Sequence, residues 1–170
     1  MFDLTSKMRE VTLLEGDFTL RSGRKSRYYL DVRRAYRDPE LLNQLVDSLY
    51  ALLDDAEPTC VAGIGLGGQT LAAVMASRHG LRLTQLRDEA KAHGTGNQIE
   101  VYKPTPEDRV IVPDDIFTTG SSLLRATEIL KPTGAQIVRY GVIANREEGD
   151  PSVLPAPLVW LITAKKIMGN

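Results

Sequence analysis

The sequence is poor in features that would send a chain outside the cell or across a membrane. It has one cysteine, so no intrachain disulfide can form. That residue, Cys60, sits in the apolar stretch Cys60-Val61-Ala62 and reads as a small buried side chain, not a nucleophile. The longest apolar stretches, such as Leu158 to Ile162, fall far below the roughly 18 residues of a membrane span, which excludes a transmembrane helix. Met1 to Lys7 lacks the basic region and apolar run of a secretory signal, so a cytoplasmic location is expected. Net charge is nearly absent, with 21 Lys+Arg against 22 Asp+Glu. Internal repeats, low-complexity tracts and linkers are absent too, and 170 residues suit one domain, 1–170.

The balance of charge is local as well as global. Arg21, Arg24, Lys25, Arg27, Arg33, Arg34 and Arg37 against Asp31 give +6 between residues 21 and 37, which leaves -7 for the rest. A cationic segment on an acidic body points to an anionic partner: nucleic acid, a phosphorylated metabolite or an acidic surface.

Asp38 and Pro39 suit the cap and first position of a helix whose Leu41, Leu42, Leu45, Val46, Leu49, Tyr50 and Leu53 repeat at helical spacing. Beyond it the pattern alternates. Strands are expected near Thr59–Ile64, Leu81–Leu86, Val110–Val112 and Gln136–Ala144, with helices near Gln69–His79 and Ser121–Leu130, and Leu158 to Ile162 with Trp160 as a core strand. This is an α/β fold with a mostly parallel sheet and helices on both faces. Ligands then bind outside the carboxyl ends of the strands, in the loops after Ile64, Leu86, Val112 and Ala144.

Two of these loops compete as phosphate sites. Gly63-Ile64-Gly65-Leu66-Gly67-Gly68 satisfies G-x-G-x-x-G and Asp88 follows 20 residues after Gly68, which fits a dinucleotide fingerprint. The other, Asp114-Asp115-Ile116-Phe117-Thr118-Thr119-Gly120-Ser121-Ser122, delivers two carboxylates and then four hydroxyls at a helix start, a receptor for a phosphate monoester. No lysine follows its glycine, so it is not a Walker-type loop. Carboxylates beside a phosphate suit a neutral or cationic part of the ligand: ribose hydroxyls or, better, a sugar ring gaining positive charge at its anomeric carbon.

At this loop the chain resembles the type I phosphoribosyltransferases, whose motif for 5-phosphoribosyl 1-diphosphate (PRPP) is an apolar strand, two acids and a Thr/Gly/Ser loop. More closely, it resembles the orotate phosphoribosyltransferases over nearly its whole length. Phe18 to Tyr29 is similar to the family's N-terminal segment, Arg87 to Gly96 to its mobile catalytic loop, and Asn145 to Gly149 to the segment whose arginine binds the orotate carboxylate.

The resemblance implies the type I fold with a small N-terminal hood-like segment over about 1–37 and a core over about 38–170. It implies transfer of phosphoribose from PRPP to orotate, with Mg²⁺ held mainly by substrate oxygens. Lys91, His93, Asp114 and Asp115 are the implied catalytic residues. PRPP would be bound by these with Arg87, Gly67, Gly68, Ile116, Phe117, Thr118, Thr119, Gly120, Ser121 and Ser122, and orotate by Arg21, Tyr28, Tyr29, Thr118 and Arg146. It further implies a homodimer sharing loop 87–96 across subunits, and neither a nucleic-acid nor a membrane partner. Departures are Asp88 where the family usually has lysine, Arg21 for lysine, Asn145 for an acid, and Pro113 before the acid pair. They keep two alternatives open, a paralogue using another base and a non-catalytic PRPP or nucleotide regulator; the dehydrogenase reading of Gly63 to Gly68 is a third.

Overall fold

The computed structural model describes residues 3–19, 23, 25–89 and 97–169. Helix α1 (Leu4–Thr12) leads into a hairpin of β1 (Leu13–Thr19) and β2 (Lys25–Leu30), a 3-10 helix (Val32–Arg37) and α2 (Pro39–Ala51). Asp38 caps α2 as its sequence suggests, accepting the Glu40 and Leu41 N–H groups at 3.0 and 3.1 Å. Then follow β3 (Cys60–Ile64), α3 (Gly65–His79), β4 (Arg82–Leu86), β5 (Ile99–Val101), β6 (Arg109–Phe117), α4 (Ser121–Leu130), β7 (Gln136–Asn145), β8 (Leu158–Thr163) and α5 (Ala164–Met168).

Six strands form one sheet in the order β5-β4-β3-β6-β7-β8. All neighbours are parallel except β5, which runs against β4. Side chains alternate across this sheet with period two. Val61, Ile111 and Ile143 face a core shared with Met8, Leu45, Leu49, Leu71 and Met75. Ala62, Val110, Val112, Tyr140 and Val142 face a second core under α4, with Leu123 and Ile129. Helix α1 belongs to the first core through fully buried Met8, so the N-terminal region is not a separate layer; only β1 and β2 stand apart, as their own two-stranded sheet.

Three local expectations are corrected. Trp160 lies on β8 but is 39% exposed, because β8 is an edge strand with no neighbour on its outer side. Helix α3 begins at Gly65, four residues ahead of the expected Gln69, so the glycine-rich loop is the helix's own first turn. Strand β6 also runs past its apolar run, through both aspartates to Phe117, because the ladder to β7 continues as Asp114↔Val142, Ile116↔Ala144 and Phe117↔Asn145. Among the described residues no helix is long and apolar enough to cross a membrane.

Candidate active site

Connectivity decides where a ligand can enter. From β3 the chain moves to β4 and β5 on one side, then returns to β6 and continues to β7 and β8 on the other. Pairing between β3 and β6 ends at Val61↔Ile111, so the strands part toward their carboxyl ends. That is the switch point at which an α/β sheet opens a crevice. Both glycine loops flank it.

The two loops are parts of one site. A Cβ on Gly67 would lie 2.6 Å from Asp115 Cγ, and one on Gly68 would lie 2.8 Å from the Pro113 carbonyl oxygen. Only glycines let the first turn of α3 pack on the acid pair. Gln69 ties the same turn to the end of β4 by donating its Nε2 to the Leu86 carbonyl at 2.8 Å.

Beyond the acids, Gly120 takes a left-handed φ of 81° and directs the chain into α4. The hydroxyls of Thr118, Thr119, Ser121 and Ser122 make no hydrogen bond among the described residues, and no side chain caps α4. A loop that existed only to start a helix would use one of them as the cap. Instead the N–H groups and the hydroxyls are left for a ligand, and Asp114, Ile116, Phe117, Thr118, Gly120, Ser121 and Ser122 line one small pocket there. Phe117 contributes backbone to this pocket; its ring is buried beneath Gly120 in the α4 core.

Asp114 is 7% exposed and accepts the Asp115 N–H at 2.8 Å. Burial pushes its carboxyl well above the ordinary carboxylate range, and the negative charges of Asp115 and Asp88 add to the shift. Asp115 is also raised by burial, with partial relief from its hydrogen bond to Asp114 and from the charge of Arg33. Adjacent buried carboxylates resist double ionisation, and Asp114 is the readier to hold a proton. Among the described residues no group of three or more His, Cys, Asp or Glu is placed to hold a metal ion.

Arg87 opens the segment after β4, about half exposed, with Nη1 3.9 Å from Glu100. The ends of that segment are fixed. The Arg87 N–H donates to the Gln98 carbonyl at 2.9 Å, and Arg125 on α4 donates to the Asp88 carbonyl at 2.8 Å. Arg146 follows β7; its N–H donates to the Phe117 carbonyl at 3.0 Å, and its Nη2 lies 2.8 Å from Glu148. Gly149 comes so close to the Thr118 carbonyl that a Cβ would lie 2.2 Å away, so this segment packs directly behind the phosphate pocket. Buried Asn145 makes the turn by accepting the Glu147 N–H at 2.8 Å. Tyr28 and Tyr29 lie on β2, 48% and 40% exposed, with Tyr29 against Phe18 at 5.5 Å between ring centroids; they stand outside the packed acid pair. Arg21, Lys91 and His93 lie outside the described residues.

Sequence reasoning missed Arg33 and Tyr36. Arg33 Nε lies 3.6 Å from Asp115 and 3.5 Å from Asp31, and the Tyr36 hydroxyl is buried without a hydrogen-bond partner among the described residues. Their spacing of three was the available signal, because residues i and i+3 eclipse on a 3-10 helix.

Comparison with known proteins agrees with this geometry. The phosphoribosyl transferase domain model matches residues 35–154. An orotate phosphoribosyltransferase from Halobacterium salinarum is 35% identical over 170 residues, covering 98% of this chain and 95% of the relative. The crystal structure of orotate phosphoribosyltransferase from Aeropyrum pernix superposes with a TM-score of 0.81 at 35% identity, covering 96% of this chain and 93% of that one. That of the Mycobacterium tuberculosis orotate phosphoribosyltransferase, in complex with Fe(III) dicitrate, gives 0.86 at 27% identity, with 96% of each chain covered.

Proposed function

The chain belongs to the orotate phosphoribosyltransferase family, and from that premise we propose how its site moves the 5-phosphoribosyl group of PRPP to orotate, giving orotidine 5'-monophosphate and diphosphate. One observation carries the assignment of parts: an uncapped helix start with four hydroxyls unpaired among the described residues adjoins a buried and a half-buried carboxylate at the switch point of the sheet. The 5-phosphate belongs at Thr118 to Ser122, on the N–H groups of α4. The ribose then lies over Asp114 and Asp115. As the bond from the anomeric carbon to the diphosphate oxygen breaks, the ring gains positive charge, and the acid pair, its negative charge carried chiefly by Asp115, stabilises it more than it stabilises the neutral ground state.

The diphosphate points toward the Gly67–Gly68 turn and Arg87. Lys91 and His93 neutralise its growing charge, and closure of their loop excludes water that would hydrolyse PRPP. Orotate is taken by Arg146, Thr118, Arg21 and the Tyr28–Tyr29 pair, with the arginines answering its carboxylate. Asp114 and Asp115 would be the protein groups facing a Mg²⁺ held mainly by substrate oxygens, which would supply positive charge against the leaving diphosphate. The working unit is a cytoplasmic homodimer in which loop 87–96 of one subunit completes the site of the other.

Protein mixed with PRPP, Mg²⁺ and orotate is expected to consume the orotate absorbance and release diphosphate. Turnover of a purine or of uracil, with none of orotate, would move the base preference elsewhere. Asp88, a second negative charge acting on Asp114 beside that of Asp115, favours one competing reading, a PRPP-binding regulator. That reading predicts PRPP binding with no base-dependent release of diphosphate.

A further inference from the structure

The 3-10 helix between the hairpin and α2 is held at both ends and on its inner face. Asp31 donates its N–H to the Thr12 carbonyl at 2.9 Å and accepts the Arg34 N–H at its own carbonyl at 3.1 Å, while Val32 and Ala35 are buried in the core. This frame fixes where Arg33 starts. Its guanidinium sits between two carboxylates, with Nε 3.5 Å from Asp31 and 3.6 Å from Asp115. Among the described residues it is the one cation within ion-pair distance of the acid pair. Gly67 packs against the same Asp115 carboxyl group, at the distance a Cβ would not tolerate.

We propose that Arg33 is a positioning residue for the transfer: wedged between Asp31 and Asp115, it keeps the Asp115 carboxylate charged and turned toward the ribose without itself touching substrate. The inference rests on the transfer reading given above. Two neighbouring carboxylates in the crevice repel each other, so one needs a counter-ion that leaves the phosphate pocket clear. Arg33 meets both conditions: it arrives from the 3-10 helix and, with Asp31 and Tyr36, lines an adjoining open cavity, not the pocket at the start of α4. Tyr36, one 3-10 turn further along, adds a buried hydroxyl on the same face, and burial together with the charges of Asp115 and Asp114 keeps its proton in place. The Arg33 side chain is 46% exposed and its distance to Asp115 is that of an ion pair, so its effect is smaller than that of the carboxylate it serves.

A double-mutant cycle of Arg33→Ala and Asp115→Asn tests this on two readouts. On activity, Arg33→Ala is expected to lower kcat about tenfold with the Michaelis constant for PRPP little changed, Arg33→Lys to recover part of the loss, and Arg33→Ala to cost almost nothing further in the Asp115→Asn background. Equal losses in both backgrounds would overturn the proposal, as would a rise in the Michaelis constant alone. The second readout needs no turnover. In the ligand-free protein Arg33→Ala should lower Tm by about 2 to 4 °C in the parent and by less than about 1 °C beside Asp115→Asn, because the charge it offsets is gone. Equal shifts would overturn the coupling. An inactive parent with an intact Tm cycle would instead point to failure of the transfer reading and leave the Arg33–Asp115 coupling standing.

Discussion

Asp108 and the Asp114–Asp115 pair sit at the two ends of one strand, and burial pushes all three carboxyls the same way. Their outcomes are opposite. Asp108, at the amino end of β6, accepts from Thr59 Oγ1, Arg82 Nη1, Tyr102 OH, and both the N–H and Oγ1 of Thr105, at 2.7 to 3.2 Å. Burial alone would raise it, but the Thr105 N–H, Tyr102, Thr59 and Arg82 outweigh that and hold it well below the ordinary carboxylate range. Asp114, at the carboxyl end, has one N–H donor and a like charge beside it, and goes up. A satisfied buried carboxylate holds a fold together; an unsatisfied one is held ready for a ligand.

The sharpest way to break this comparison is to neutralise one acid at each end. Asp115→Asn should lower turnover about 10²- to 10³-fold, the scale of losing one group aimed at developing charge, while Tm stays level or rises because a repulsion is relieved. Steady-state kinetics with a melting curve checks both halves, and a large fall in Tm would place Asp115 among the structural acids. Asp108→Ala should do the reverse. It strips Thr59, Tyr102 and Thr105 of their shared acceptor, and should cost about 2 to 4 kcal/mol of stability in urea unfolding while the folded fraction keeps its turnover.

The two ends were not equally legible in the sequence. The active end was readable because its chemistry is contiguous: Asp114 to Ser122 is one stretch, and an apolar strand before it with a helix after it fixes its place at the sheet edge. The structural end was not, because the partners of Asp108 come from residues 59, 82, 102 and 105, and only strand pairing assembles them. Arg33 was hidden for the same reason. It belongs to a +6 segment by composition, yet it meets Asp115 only because the 3-10 helix packs against β6. The sequence marks Gly67 as part of a phosphate loop; its closeness to Asp115 is a packing fact between two helix-strand units, and no local pattern encodes it. The exposure of Trp160 follows from β8 being an edge strand, which the apolar run around it conceals.

A pH series sharpens the contrast, because the shifts have opposite signs. Asp108 is depressed from an ordinary 3.8, so its stabilisation is complete above that value and is lost as pH falls through the lower folded-state pKa. Asp114 is raised from the same 3.8, so its contribution is complete below that value and is lost as pH rises through the higher folded-state pKa. In urea unfolding of ligand-free protein from about pH 3 to about pH 7, the deficit of Asp108→Asn should shrink toward acid, while Asp114→Asn should gain on the parent as pH rises. Parallel curves for the two variants would show that the ends of β6 are electrostatically alike.

The smallest effect is expected at Asp88, whose charge reaches Asp114 from an exposed position. Its backbone carbonyl is already held by Arg125, so a substitution should change the charge and leave the segment in place. Asp88→Lys removes a negative charge beside the acid pair and adds a positive one near the expected path of the diphosphate. Exposed charges are weakened by solvent and salt, so kcat/KM for PRPP should rise only about two- to fivefold, and less at high ionic strength. Asp88→Asn should fall between the two. If both variants lowered kcat/KM, Asp88 would be serving the site rather than opposing it, and the acid pair of β6 would work with a third carboxylate from the segment after β4.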